Sequence, residues 1–194
     1  MNDSEKKRLF VAIDLPPEAK EIIYKTSNKF LEAKKNIRQV KSDNIHITLK
    51  FLGNVKKEYL PSLTTELNSC AKKTEAFKFR IKNRIDAFPN IRKASIIFVG
   101  VEEGGRKIEK IFTDIEPGLK QINISKEKRR FVPHATLARV KQKTDISELE
   151  KDIVFRKLPE VSCDRITLFE SRLKPSGAEY YILEEFILGK SFKF

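Results

Sequence analysis

The 194-residue sequence predicts an α+β fold built on antiparallel sheets, and three observations lead to that expectation. Short β-prone runs alternate with helical stretches, and several successive strands are close enough to form hairpins. The glycine-rich phosphate loop typical of doubly wound nucleotide-binding folds is missing from the sequence. The length suits one domain spanning residues 1–194, which can bury a core without disulfide bonds.

The first half of the chain predicts strand, helix, strand, helix. Leu9–Ile13 is a short apolar run that ends at a proline-containing turn. Apolar residues then recur at helical spacing and predict one buried stripe of Ile22, Ile23, Phe30, Ala33 and Ile37. Ile45–Phe51 alternates like a strand and is expected to close in a turn at Gly53. A second helix should begin near Tyr59 or Leu60, because the following proline is tolerated only in a first turn.

The second half predicts a strand pair, a helix, a strand, a short helix and a final hairpin. Phe77–Ile81 alternates and Ala94–Val101 is apolar throughout, so these runs are expected to pair antiparallel. The next helix should be kinked or shortened at Pro117. Phe131–Val140 predicts a strand, and the remaining elements are a short helix at Asp145–Ile153 and two strands around Lys174–Gly177.

Charge and cysteine content narrow the function classes. Forty Lys and Arg residues against 27 Asp and Glu give a net charge of +13, which suits a polyanionic partner such as nucleic acid. An acidic membrane surface or solubility alone would favour the same balance. Cys70 and Cys163 belong to no C-x-x-C pattern, and Leu9–Ile13 is too short for a signal peptide or membrane span. We therefore expect a cytoplasmic protein without a membrane partner.

A four-residue motif, H-x-T-L, occurs twice and contains both histidines of the chain. The copies are His46–Leu49 and His134–Leu137. On a strand, residues i and i+2 share a face, so each copy presents one imidazole and one hydroxyl while its apolar residues enter the core. If the two strands meet across a cleft, two imidazoles and two hydroxyl donors converge there.

Such a set suits cleavage of a phosphodiester. One histidine can take a proton from the attacking oxygen, and the other can give a proton to the leaving oxygen. Thr48 and Thr136 can donate hydrogen bonds to the nonbridging phosphate oxygens. Neither motif has Asp, Glu or Cys at ligand spacing, so no metal or other cofactor is expected. A histidine that merely satisfies a hydrogen bond is the alternative, but it gives no reason for the threonine to recur.

Several stretches, in their order along the chain, together resemble the 2H (two-histidine) phosphoesterase superfamily. Within it they are similar to the RNA 2′,3′-cyclic phosphodiesterases, which are also described as 2′-5′ RNA ligases. The matching stretches cover almost the whole chain and are Arg8–Asp14, Asn44–Gly53, Ala87–Asn90, Phe131–Arg139 and Ser171–Leu173, followed by Gly177 and Tyr180.

The resemblance implies a bilobal fold with pseudo-twofold symmetry, in which two antiparallel sheets are flanked by helices and each lobe turns one H-x-T strand toward a central cleft. It also implies an enzyme that opens a terminal 2′,3′-cyclic phosphate of RNA to a 2′-phosphate. We expect a monomer that acts on single-stranded ends or tRNA-half-like fragments. The reverse reaction joins ends through a 2′-5′ linkage. For hydrolysis we predict that His134 is the general base and His46 the general acid. The near-identical motifs leave the opposite assignment open.

Other residues near the motifs are weaker candidates. Arg139 matches a basic position of the family and could clamp phosphate, although odd spacing turns it away from His134 unless a bulge intervenes. Lys50 has the parity of His46 and could reach the cleft. Phe88 and Phe131 could stack on terminal bases, although the core is the more common place for phenylalanine. A basic run could hold the RNA backbone and comprises Lys126, Lys128, Arg129 and Arg130.

Two further functions remain open at this stage. A noncatalytic RNA-binding module would use the same basic cleft to hold RNA ends without turnover. A 2H enzyme could also act on a nucleotide cyclic phosphate or a 2′-5′ oligonucleotide, because the H-x-T pairs determine chemistry more than substrate.

Overall fold

The computed structural model describes residues 5–122, 124–156, 158–175 and 177–189, and within these ranges it contains nine strands and four α-helices. The strands are β1 (Lys6–Asp14), β2 (Ile37–Gln39), β3 (His46–Lys56), β4 (Phe77–Phe88), β5 (Ala94–Glu103), β6 (His134–Thr144), β7 (Val161–Cys163), β8 (Arg165–Lys174) and β9 (Gly177–Ile187). The helices are α1 (Pro17–Leu31), α2 (Leu60–Lys73), α3 (Gly105–Gln121) and α4 (Ser147–Asp152).

The strands form one antiparallel sheet in the order β7-β4-β5-β6-β3-β1-β8-β9, with β2 paired to β6. We call β3-β1-β8-β9 the first half and β6-β5-β4-β7, with β2, the second half. The halves join between β3 and β6, where the sheet pairing consists of Ile47 with Ala135. The predicted α+β class with antiparallel strands in two halves is confirmed, and the two expected sheets are joined into one by this pair.

The two halves repeat the same order of elements. In the first half β1, α1, β3 and α2 follow one another, apart from the short β2, and in the second half β5, α3, β6 and α4 do so. In each half the strand before the first helix pairs with the motif strand. This repetition is the pseudo-twofold relation that the resemblance implies.

The helices bury apolar stripes against the sheet, and one predicted stripe is wrong. The buried residues of α1 are Ala19, Ile23, Ser27 and Leu31. Ser27 is tolerated there because its hydroxyl donates to the Ile23 carbonyl, 2.8 Å away. The helix ends at Leu31, and Ile37 belongs to β2. The predicted stripe mixed two elements, because the spacing of Ile37 happens to continue the helical period.

Two predicted interruptions do not end their elements. β3 continues through Gly53, whose positive φ of 71° lies at an irregularity in the pairing with β1. The helix α3 continues past Pro117 to Gln121. The start of α2 at Leu60, the β4–β5 pair and the final β8–β9 hairpin are confirmed. Ser176, within the predicted hairpin turn, lies outside the described residues.

Cys70 and Cys163 are both buried and unpaired, as expected of small core thiols, and burial raises the pKa of the Cys163 thiol to about 12. In the described part of the chain, no helix is both long and apolar enough to cross a membrane.

Candidate active site

The two H-x-T motifs meet at the junction of the halves. Ile47 pairs with Ala135, so in antiparallel register His46 lies opposite Thr136 and Thr48 opposite His134. Ile47 and Ala135 are buried, whereas the histidines and threonines are partly exposed on the other face. The predicted convergence of two imidazoles and two hydroxyls on one surface is therefore present in the structure.

Each motif strand contains a β-bulge at the leucine of H-x-T-L. Ala12 and Val11 of β1 pair with Thr48 and Lys50, which leaves Leu49 as the extra residue. In the second half, Phe98 and Ile97 of β5 pair with Thr136 and Ala138 and leave Leu137 extra. A bulge shifts the alternation of side chains by one residue. Residues after the bulge therefore change faces in both strands.

The bulge brings Arg139 to the face of His134. Ala138 and Val140 are buried, and Arg139 between them is exposed. The Arg139 charge is close enough to contribute to the lowered pKa of His134. A bulge between His134 and Arg139 is the condition under which Arg139 can clamp phosphate, and this bulge is present. The clamping role itself stays a prediction.

The corresponding bulge removes Lys50 from the cleft. The Lys50 side chain is buried, and its Nζ lies 2.6 Å from Glu116 of α3 and 2.9 Å from the Ser125 carbonyl. The expectation that parity directs Lys50 to the cleft was wrong, because the bulge at Leu49 reverses the parity. Phe51 takes the cleft face instead and is 61% exposed.

Aromatic side chains hold His46 in place. Its ring stacks on Phe10 at a centroid distance of 4.9 Å and contacts Tyr180 edge-on at 5.4 Å. Its Nε2 lies 2.9 Å from Thr48 Oγ1. The imidazole nitrogen and the hydroxyl thus face the same point of the cleft, as binding of one phosphate group requires.

The surroundings of His134 follow a similar plan with different residues. Phe88 and Phe98 each lie 5.0 Å from its ring, measured between centroids. Its Nδ1 lies 2.7 Å from the Val132 carbonyl. When Nδ1 donates to this carbonyl, the neutral ring carries its proton on Nδ1 and leaves Nε2 as a proton acceptor. The contact therefore favours the form that a general base needs.

Burial depresses the pKa of both histidines. Desolvation is the main cause of a pKa of about 4 for His46, and the charge of Lys20 adds to it. The pKa of His134 is lowered by desolvation and by the charge of Arg139. A hydrogen bond to the backbone, at Asn44 for His46 and at Val132 for His134, opposes the shift in each case. Both imidazoles are therefore neutral at pH 7 in the free protein.

Several residues that shape the site could not be predicted from the sequence. Lys20 forms a 2.7 Å ion pair with Asp14, the residue that pairs with His46 across the β1–β3 ladder. Phe10 and Phe98 lie one strand away from the motifs, in β1 and β5. The register of strand pairing would have indicated these neighbours. The sequence alone does not give that register, because each bulge shifts it.

The remaining candidates lie near the site without joining it. Phe131 stacks on Phe112 of α3 at a centroid distance of 4.4 Å, so it packs against a helix. Lys126, Lys128, Arg129 and Arg130 are exposed in the segment before β6. Within that segment Glu127 accepts hydrogen bonds from the Arg129 guanidinium. Among the described residues no three His, Cys, Asp or Glu side chains are grouped to hold a metal ion.

Comparison with known proteins places the chain in a family. The model of the 2′-5′ RNA ligase superfamily matches residues 27–175. A Methanocaldococcus jannaschii protein named RNA 2′,3′-cyclic phosphodiesterase is 34% identical over 92% of this chain and 99% of its own length. The chain belongs to the 2′-5′ RNA ligase superfamily. The family resemblance seen in the motifs is thereby confirmed.

Other members of the superfamily agree in sequence and in fold. A Thermotoga maritima protein, also named RNA 2′,3′-cyclic phosphodiesterase, is 31% identical over 92% of this chain and 94% of its own. The crystal structure of E. coli LigT in apo form superimposes with a TM-score of 0.78 at 25% identity, and the match covers 95% of this chain and 99% of LigT. The chain is thus similar to these superfamily members over nearly its full length.

Proposed function

We propose that this superfamily member is an RNA 2′,3′-cyclic phosphodiesterase that hydrolyses a terminal 2′,3′-cyclic phosphate to a 2′-phosphate. The observation that carries the proposal is the meeting of both H-x-T motifs at the Ile47–Ala135 pair, which faces two imidazoles and two hydroxyls into one cleft. The names of the archaeal and bacterial relatives support the substrate class.

The reaction needs two proton transfers. We assign His134 as the base that takes a proton from water as the water oxygen attacks phosphorus. The bond between phosphorus and the 3′-oxygen then breaks, and His46 gives its proton to that oxygen. The products are a 2′-phosphate and a free 3′-hydroxyl. Thr48, Thr136 and Arg139 are assigned to the nonbridging oxygens, where the negative charge grows.

The lowered pKa values bear on how the site acquires its acid. Both histidines are neutral at pH 7 in the free protein, so the acid must gain a proton when substrate binds. The phosphodiester brings a negative charge next to both rings, and an adjacent opposite charge raises a histidine pKa. Substrate binding therefore creates the one-protonated, one-neutral pair that hydrolysis needs.

The decisive experiment combines product identification with matched variants. An RNA oligomer ending in a 2′,3′-cyclic phosphate is incubated with wild type, His46→Gln and His134→Gln, and mass spectrometry with phosphatase mapping distinguishes 2′- from 3′-phosphate. We expect the wild type to form 2′-phosphate and each variant to lose activity while keeping its circular dichroism spectrum. Full activity in either variant would refute the proposal.

The same assay distinguishes the alternatives. Tight binding of the cyclic-phosphate end without turnover by the wild type would identify a noncatalytic RNA-end-binding module. Faster turnover of a nucleoside 2′,3′-cyclic phosphate or a 2′-5′ oligonucleotide would identify another 2H substrate. Supplying an RNA with a 5′-hydroxyl tests the reverse reaction, formation of a 2′-5′ linkage.

Further properties belong to the same proposal. We infer that the substrate is RNA, which suits the strongly basic chain, and we expect single-stranded ends such as those of tRNA-half-like fragments. We expect a monomer that works in the reducing cytoplasm, where the buried thiols of Cys70 and Cys163 stay unpaired. Metal-independent activity is expected because the acid–base pair supplies the chemistry; retention of activity in EDTA tests this, and restoration by Zn²⁺ or Mn²⁺ after a loss would contradict it.

A further inference from the structure

The segment that leads into the second motif, residues 124–133, belongs to no helix or strand. It ends directly before His134 and contains Val132, whose carbonyl lies 2.7 Å from His134 Nδ1. This carbonyl accepts the hydrogen bond that keeps the proton of the neutral ring on Nδ1. The position of residues 124–133 therefore sets both the orientation and the tautomer of the His134 ring.

The corresponding carbonyl of the first half is held by local structure. His46 bonds to the backbone at Asn44, which also lies two residues before the histidine. Asn44 ends the short 3-10 helix Ser42–Asn44, and its side chain donates to the Ala178 carbonyl at 2.9 Å. Residues 124–133 form no such helix. The Val132 carbonyl must therefore be held by tertiary contacts of its segment.

A buried ion pair supplies contacts at the start of the segment. Lys50 Nζ donates to the Ser125 carbonyl at 2.9 Å and lies 2.6 Å from Glu116 Oε1 of α3. The same Glu116 oxygen accepts the backbone N–H of Glu127 at 3.4 Å. The ion pair thus binds one backbone acceptor and one backbone donor of residues 124–133.

A second contact with α3 holds the end of the segment. Phe131, the residue before Val132, stacks on Phe112 with a centroid distance of 4.4 Å and an interplanar angle of 7°. Phe112 precedes Glu116 by four residues, so both side chains project from the same face of α3. One face of this helix therefore holds both ends of the segment that orients His134.

The charges of the buried pair are better explained by this contact than by stability. Lys50 and Glu116 are only 5% and 8% exposed, respectively. Apolar residues of similar volume are often as stable as a buried ion pair, because burial removes both charges from water. Apolar side chains could neither donate to the Ser125 carbonyl nor accept the Glu127 N–H. The pair supplies hydrogen bonds to the segment that a purely apolar core could not.

We propose that Lys50 and Glu116 are positioning residues for His134. Together with the Phe112–Phe131 stack they hold residues 124–133 in place, so that the Val132 carbonyl keeps Nε2 of His134 free to accept a proton. The inference rests on the proposed function, in which His134 is the general base. Because Lys50 follows His46 in β3, the motif strand of one half helps to orient the histidine of the other half.

Two test variants and one control examine this role. Lys50→Met/Glu116→Leu removes the pair without leaving a buried charge, and Phe131→Leu removes the stack while the pair remains. The control, Lys7→Met/Glu170→Leu, removes an ion pair of the same 2.6 Å length that lies entirely within the first half.

The measurements separate positioning from stability. For each protein, kcat and KM are determined on an RNA oligomer with a 2′,3′-cyclic phosphate end, and the unfolding free energy is determined by denaturant titration. The ¹⁵N chemical shifts of the ring nitrogens, recorded without substrate at about pH 8, where both rings are neutral, distinguish the Nδ1–H from the Nε2–H tautomer. The spectrum of His46→Gln assigns the signals of His134.

We expect Lys50→Met/Glu116→Leu to have nearly the stability of the wild type but a kcat lowered by about 10- to 100-fold, with little change in KM, because a misplaced base slows proton transfer. The Nε2–H tautomer of His134 should become populated in this variant. Phe131→Leu should change kcat and the tautomer in the same direction, by a smaller amount. The control should keep the kcat and the Nδ1–H tautomer of the wild type.

Other results would overturn the positioning role. Wild-type kcat and an unchanged Nδ1–H tautomer in both test variants would show that His134 is oriented without these contacts. An equal loss of kcat in the control would attribute the effect to the loss of any ion pair. If the double variant does not fold, the tautomer in Phe131→Leu decides. Because the tautomer is measured without turnover, an inactive wild type would refute the proposed function separately from the positioning role.

Discussion

The two motif strands share a sequence pattern, a bulge and a contact point, yet they place different residues around their histidines. After the bulge, β3 buries Lys50 and exposes Phe51, whereas β6 buries Ala138 and exposes Arg139. Next to the histidines, Asp14 stands in the first half where Gly100 stands in the second. The halves thus repeat the histidine, the threonine, the bulge and the aromatic packing of the imidazole, and they differ in the residues after the bulge and opposite each histidine.

This difference indicates how two similar halves can together bind an asymmetric substrate. A cyclic phosphate has a nucleoside on one side and attacking water on the other, so its binding site must be asymmetric even where the proton transfers are alike. In the second half Arg139 is exposed near His134, and a cavity lined by Phe88 and Phe98 lies beside the strand pair. In the first half Lys50, after the bulge, is buried in an ion pair with Glu116.

The largest expected effect is a loss of kcat, and it distinguishes the roles of the two histidines. His46→Gln and His134→Gln should each lower kcat by between about 10² and 10⁴-fold, as loss of a general acid or base does. A cyclic substrate whose 3′ leaving oxygen is replaced by sulfur needs little protonation, because a thiolate is a better leaving group. On this substrate the defect of His46→Gln should shrink and that of His134→Gln should persist. Rescue of His134→Gln instead would reverse the assigned roles.

The buried ion pair of the first half should matter for stability. Lys50→Met leaves Glu116 buried without its cation, and loss of one partner of such a pair costs about 3 kcal/mol of unfolding free energy. The double variant Lys50→Met/Glu116→Leu should recover most of this loss. Denaturant titration measures both.

A control exists in the same strand. Lys56 pairs with the exposed Glu58 at 3.1 Å, so Lys56→Met should change stability little. Equal destabilisation by Lys50→Met and Lys56→Met would contradict the importance of burial.

Arg139, the exposed cation of the second half, should bind the phosphate of the substrate. Arg139→Ala removes a charge-assisted contact to phosphate and should lower kcat/KM by about 10- to 100-fold. Arg139→Lys keeps the charge but loses the two-pronged geometry, and it should recover only part of the activity. Lys25→Ala, on the outer face of α1, removes the same charge elsewhere. If Lys25→Ala reduced kcat/KM as much, Arg139 would contribute only to net charge.

A last prediction concerns stability in acid, where activity is not measured. The pKa of His46 is about 4 in the folded protein and about 6.5 when unfolded. The unfolded chain binds more protons between these values, so the unfolding free energy falls as pH drops from 6.5 to 4. His46→Gln should lose less stability than wild type between pH 7 and pH 4.5, measured by denaturant titration. An identical pH dependence in both proteins would show that His46 is not desolvated.

Much of this site could be predicted from the sequence, because strand periodicity is a local property. The alternation around His46 and His134 predicted that each motif shows its imidazole and hydroxyl on one face and buries its apolar residues. The same rule failed for Lys50, because a bulge adds one residue and reverses the parity. For Arg139 strand alternation gave a conditional prediction. The side chain was expected on the face of His134 only if a bulge intervened, and that bulge is present.

The sequence by itself determined the α+β class, the family and the two pairs of motif residues, because these depend on residue order and short-range spacing. Tertiary structure alone decided that the halves join at Ile47 and Ala135 and that Lys50 enters the core. These features depend on strand pairing and bulges. Pairing joins residues that are far apart in the chain, and the alternation of apolar and polar residues by itself does not reveal a bulge.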